Sequence, residues 1–146
     1  MTNSPKRSAD SHLHTLTVKT SRRTELVNIT AEVARVVAAS GVASGVCNLY
    51  VPHTTAGVTI NEGDDPDVAR DIEGALDRMV PRDAGYKHSE GNSDSHIKSS
   101  IVGVAQSVLI ENRRLVLGRW QAIFFCEFDG PRHREVHLKI QPDAKV

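Results

Sequence analysis

The chain has 146 residues, with 18 basic and 18 acidic side chains, which is long enough for one domain with a sizeable core. Its formal charge cancels to +0, so no global field draws it to nucleic acid or an anionic membrane, and any anion site must be a local pocket. No apolar run approaches the about 20 residues that a membrane-spanning helix needs.

The opening MTNSPKRSADSH is polar and lacks the apolar stretch of a secretory signal. Residues 1–11 are expected to form a disordered leader, followed by a single domain over 12–146. Cys47 and Cys126 lie in apolar stretches without CxxC spacing, which favours buried free thiols in a reducing compartment, so a cytoplasmic location is expected.

Residues 12–19 and 24–29 read as two strands, with Arg22 and Arg23 at the turn between them. Thr30 is placed to N-cap a helix with Glu32 in its first turn, an apolar stripe of Val33, Val36 and Val37, and Gly41 as its stop. Strands over 46–52 and 57–61 flank the polar break HTTA. Asp65 then Pro66 is a strong helix start, and Val68, Ile72, Leu76 and Met79 recur at helical spacing up to Pro81.

The polar segment 82–94 is a long loop, a length that points to function or disorder. Ser95 is read as the cap of a short helix carrying Ile97, Ile101 and Val102. Strands over 106–110, 115–128 and 133–140 follow, joined by ENRR and DGPR. The order ββα–ββα–α–βββ predicts an α+β fold, an antiparallel, β-sandwich-like sheet core with two to three helices packed on it.

Two segments carry more chemistry than a scaffold needs. In 51–68, His53 follows a strand, and Asn61 and Glu62 end the next one. In 86–100, His88 and His96 stand eight apart, near Glu90 and Asp94. Imidazole is both a frequent metal ligand and a general acid–base near neutral pH. The spacing matches neither HExxH nor a zinc finger, so two readings stay open. One is a mixed-ligand metal site; the other has His53 and His96 capping or bridging loops while His88 is solvated. Trp120, the sole tryptophan, is read as a core residue in preference to a substrate-stacking one, and Arg119, Arg132 and Arg134 as either surface charge or phosphate clamps.

The runs HTTAGVTINEGDDPDV, YKH with EGN, SHIKSSIVG and LVLGRWQAIFFCEFDGPRHREV occur in an order that resembles the YjbQ family over about residues 14–141. The resemblance implies a secondary thiamine-phosphate synthase, which joins a hydroxymethylpyrimidine diphosphate to a thiazole phosphate. It also implies a homotrimer with a histidine and carboxylate site near subunit contacts. By position, His53, His88 and His96 match the family's histidines and are the expected ligands of a divalent metal, Zn or Mg. Glu62, Asn92, Trp120 and Gln121 match other motif positions, so His53, Glu62, Asn92, Arg119 and Gln121 are the expected catalytic set. The implied ligand is a small phosphorylated metabolite. Two departures stand out: Arg119 where the family usually has threonine, and Arg113 where it usually has glycine. Two other classes fit the same residues, a metal-dependent phosphate-ester hydrolase and a non-catalytic trimeric small-molecule-binding protein.

Overall fold

The computed structural model describes residues 13–145, so the expected leader at 1–11 lies outside the described residues. The elements run β1 (Leu13–Lys19), β2 (Glu25–Asn28), α1 (Thr30–Ser40), β3 (Gly45–Tyr50), β4 (Ala56–Glu62), α2 (Pro66–Met79), α3 (Ser93–Val102), β5 (Ala105–Glu111), β6 (Arg114–Leu115), β7 (Gln121–Glu127) and β8 (His133–Pro142). They form a sheet ordered β1-β8-β3-β5-β6 and a smaller one ordered β2-β7-β4. Each strand pairing is antiparallel. The expected α+β architecture is the one observed.

Period-two alternation sorts β7 between two cores. Ile123 and Phe125 point between the sheets and pack with Leu49 of β3 and Val58 of β4, Val136, Leu138 and Ile140 of β8, and Val33 and Val37 of α1. Ala122, Phe124 and Cys126 face the other way, onto Leu76 and Ile72 of α2. A strand buried on both faces is nearly continuously apolar, which explains why the β7 sequence shows so little polar alternation.

Asp65 caps α2 as predicted, its carboxylate accepting from the Asp67 N–H with Pro66 behind it, and Gly41 ends α1 at φ 73°. Four local expectations change. Thr30 is the first residue of α1 rather than its cap; its hydroxyl donates to Asn28 Oδ1 and accepts from the Ile123 N–H, tying the helix to β7. The strand expected over 115–128 is two, because Arg114–Leu115 belongs to one sheet and Gln121–Glu127 to the other. The chain crosses between sheets through a turn in which Gln121 Oε1 accepts from the Gly118 N–H. Trp120 lies in that turn and is 51% exposed, so it is not a core residue.

The fourth correction concerns α3. The helix begins at Ser93, and Ser95 does not cap it. The Ser95 side chain is buried and donates to the Phe128 carbonyl. The inward face of α3 is polar: Asp94, Ser95, Lys98 and Ser99 are buried, while Ile97 and Ile101 point outward. Arg23 forks onto the Asp94 carboxylate at 2.9 and 3.2 Å, and Lys98 bonds to Asp77 of α2. Ser99 donates to the Ala56 carbonyl. Charge pairs and hydroxyls, not an apolar stripe, hold this helix in place.

Candidate functional site

The β3–β4 connection and α3 form the walls of an elongated open cleft. Its larger part, about 810 Å³, is lined by Tyr50, His53, Thr54, His96, Ser99 and Ser100 among others. A second part, about 370 Å³, shares Pro52, His53, Thr54 and His96 and adds Glu90, Asn92, Asp129, Arg132 and Arg134. The folded chain therefore brings His53, His96 and Asn92 to one place. His88 sits on the far side of His96, with ring centroids 5.4 Å apart and planes at 89°, and 3.7 Å separates His88 Nε2 from Glu90 Oε2.

His53 is held by the backbone of β8, its Nε2 accepting from the Glu135 N–H at 2.9 Å. Burial, and then the positive charge of Arg134, hold its pKa below the ordinary imidazole value. Asn92 occupies the position before α3 without capping it. Its Nδ2 donates to Asp129 at 2.9 Å, leaving the buried Oδ1 without a partner.

The arginines at this end are not free phosphate clamps. Arg134 is buried, and its Nε and Nη2 are spent on Glu127 and on Thr55. Arg132 bonds through Nε and Nη2 to Asp129. Both charges are neutralised locally, so the cleft has no surplus of positive charge. These partners were not visible in the sequence, because Glu127 and Asp129 read as the end of an apolar strand and its turn.

Glu62, Arg119 and Gln121 lie elsewhere in the chain's fold. Glu62 ends β4 opposite Gln121, and β4 begins at Ala56 beside the histidine cleft. Six strand steps at about 3.3 Å separate the two ends by about 20 Å. Glu62 lines a separate cavity of about 250 Å³ with Arg22, Asp65, Arg70 and Glu73. Arg119 stacks 4.8 Å from the centre of the exposed Trp120 ring. The residues expected to form one constellation thus divide into two groups at opposite ends of the smaller sheet.

A divalent metal does not fit the three histidines as they are arranged here. The lone pair of His53 Nε2 is engaged by a backbone N–H, which leaves the neutral ring's other nitrogen protonated. Among the described residues, no three His, Cys, Asp or Glu side chains group to hold an ion. The reading in which His53 bridges a loop to the sheet describes this geometry better than the ligand reading. The two cysteines are free and buried, and no helix among the described residues is long and apolar enough to cross a membrane.

The family model described as UPF0047 protein YjbQ-like matches residues 14–143. A UPF0047 protein of Methanocaldococcus jannaschii is 50% identical over 126 residues, covering 86% of this chain and 91% of the relative. The UPF0047 protein YugU of Bacillus subtilis is 49% identical over 129 residues, covering 88% and 98%. Among solved structures, a conserved YjbQ/UPF0047 family protein of Clostridium acetobutylicum superposes with TM-score 0.86 at 50% identity, over 88% of this chain and 99% of that one. A YbjQ-like protein of unknown function from Sulfolobus solfataricus gives TM-score 0.86 at 30% identity, over 90% and 96%. With the fold and nearly the whole sequence matched, the chain belongs to the UPF0047 YjbQ-like family.

Proposed function

We propose that the cleft between the β3–β4 connection and α3 is the active site of a small-metabolite enzyme, a secondary thiamine-phosphate synthase of the kind the resemblance implies. The observation that carries this reading is that His53 and His96, from separate segments, line both parts of the cleft, and Asn92 joins them in the smaller part. In the reaction, the thiazole nitrogen attacks the methylene carbon of the pyrimidine. The carbon–oxygen bond breaks, and pyrophosphate leaves with the electron pair. Orientation of the two substrates and stabilisation of the departing charge are what a protein contributes. His96 is the group suited to give the leaving pyrophosphate a proton.

Self-association as a homotrimer is part of the same proposal. Ile97 and Ile101 on the outer face of α3, with Tyr50 beside the cleft, are apolar and exposed, as suits a surface covered by another copy. A neighbouring protomer is also the route by which Glu62, Arg119 and Gln121 would approach the cleft. Light scattering of the purified protein tests the assembly.

The chemistry is tested by incubating hydroxymethylpyrimidine diphosphate and thiazole phosphate with the protein in a buffer containing Mg²⁺, and measuring thiamine phosphate as fluorescent thiochrome. Turnover is expected, and His96→Ala should lower it at least about 100-fold with the unfolding midpoint unchanged. Undiminished turnover in that variant would refute the assignment. Tight ligand binding without turnover would favour the binding-protein alternative, which asks only for the cleft. Release of phosphate from simple esters would favour the hydrolase.

A further inference from the structure

We infer that His53 is a positioning residue rather than a metal ligand: its ring takes the place of the sheet partner that β8 lacks beyond the end of β3, and this fixes its Nδ1–H as a hydrogen-bond donor to whatever occupies the cleft. The pairing of β3 with β8 stops at Tyr50 opposite His137. On its other side β8 continues to pair with β1 as far as His133 opposite Lys19. Glu135 therefore has a strand neighbour on one side only, and its N–H meets the His53 ring at 2.9 Å.

A backbone N–H can only donate, so Nε2 must be the unprotonated nitrogen, and the proton of the neutral ring sits on Nδ1. Nδ1 makes no hydrogen bond to the described residues and is not among the buried atoms without a partner, while the ring lines both parts of the cleft. A metal would need a lone pair from one of these nitrogens, and neither has one to spare. The nitrogen left to the cleft is a donor, and it suits an acceptor oxygen such as that of a phosphate or carboxylate.

This inference rests on the proposed function only for what fills the cleft, because the tautomer is read without substrate. Nitrogen–proton correlation spectra of the full chain labelled with ¹⁵N-histidine are expected to show, for His53 at neutral pH, a pyridine-like Nε2 and a pyrrole-like Nδ1. Zn²⁺ alone, added to one equivalent, should leave both signals in place. Amide exchange at Glu135 should be about tenfold faster in His53→Ala, the loss of one hydrogen bond, and near the native rate in His53→Gln, whose side-chain oxygen can accept in its stead. A pyridine-like Nδ1, His53 signals shifted by Zn²⁺, or equal exchange at Glu135 in the native and alanine proteins would each overturn it. Should His53→Ala fail to fold, the spectra of the native protein still decide.

Discussion

Arg134 of β8 forks onto Glu127 of β7, Nε to Oε2 at 2.8 Å, and so joins the two sheets by a buried ion pair. Thr20 also donates to this carboxylate at 2.9 Å, and Arg134 reaches the Thr55 hydroxyl at 2.9 Å. The pair thereby gathers the ends of β1, β7 and β8 and the residue before β4. A desolvated pair adds little net stability by itself, but losing one partner leaves a buried charge uncompensated. Glu127→Gln is expected to cost about 3–5 kcal/mol in urea unfolding. The double variant Glu127→Leu with Arg134→Met should cost clearly less than the sum of the single changes. Additive costs would mean that the two groups do not act as a unit.

Acid should weaken the fold through the same carboxylates. Burial works to raise the pKa of Glu127 and of Asp94, but hydrogen bonds from Arg134 and Arg23 respectively prevail and hold both below their ordinary values. A folded pKa below the unfolded one gives stability that is present above the unfolded pKa, about 4, and lost as pH falls through the folded one. Unfolding midpoints should therefore be level near neutrality and drop below about pH 4. Asp94→Asn should flatten part of that drop, and an unchanged profile would show that Asp94 does not contribute to it.

The turn joining β5 to β6 carries a removable strain. Asn112 and Arg113 have φ of 52° and 64°, the left-handed pair of a two-residue hairpin that prefers Asn-Gly. Glycine relieves the Cβ clash at the second position, worth about 1–2 kcal/mol, but loses about 0.5–1 kcal/mol to its freer unfolded chain. Arg113→Gly is expected to stabilise the protein by about 0.5–1 kcal/mol, and a loss of stability in chemical unfolding would contradict the account.

Trp120 should contribute little to folding stability. Being half exposed in a crossing turn and stacked on Arg119, it fills no core space. Trp120→Ala is expected to change the unfolding free energy by less than about 1 kcal/mol, against about 3–5 kcal/mol for a packed tryptophan. A cost in the higher range would restore the core reading.

Much of the architecture was legible because its signals are local. The Asp65–Pro66 start, the glycine stop at Gly41 and the apolar spacing of α2 each depend on residues within one or two turns. Helix α3 misled for the opposite reason. Its isoleucines resemble a core stripe, yet its partners Arg23, Asp77 and Ala56 come from distant segments, so the inward face takes the charged and hydroxyl residues. The candidate site was legible in part, since His53, Asn92 and His96 could be named from their segments, but which nitrogen of His53 is free depends on where β3 stops beside β8.

By itself the sequence determined the family, the antiparallel α+β class and the segments that carry histidine. Those follow from periodicity, capping residues and motif order, all of which are short-range or positional. Tertiary structure alone decided that His53 and His96 share a cleft while Glu62, Arg119 and Gln121 stand about 20 Å of strand away, and that Arg134 of one sheet meets Glu127 of the other. The cleft joins segments far apart in the chain, and the Arg134–Glu127 pair, though only seven residues apart, bridges strands of two sheets, so both exist only once the two sheets have packed.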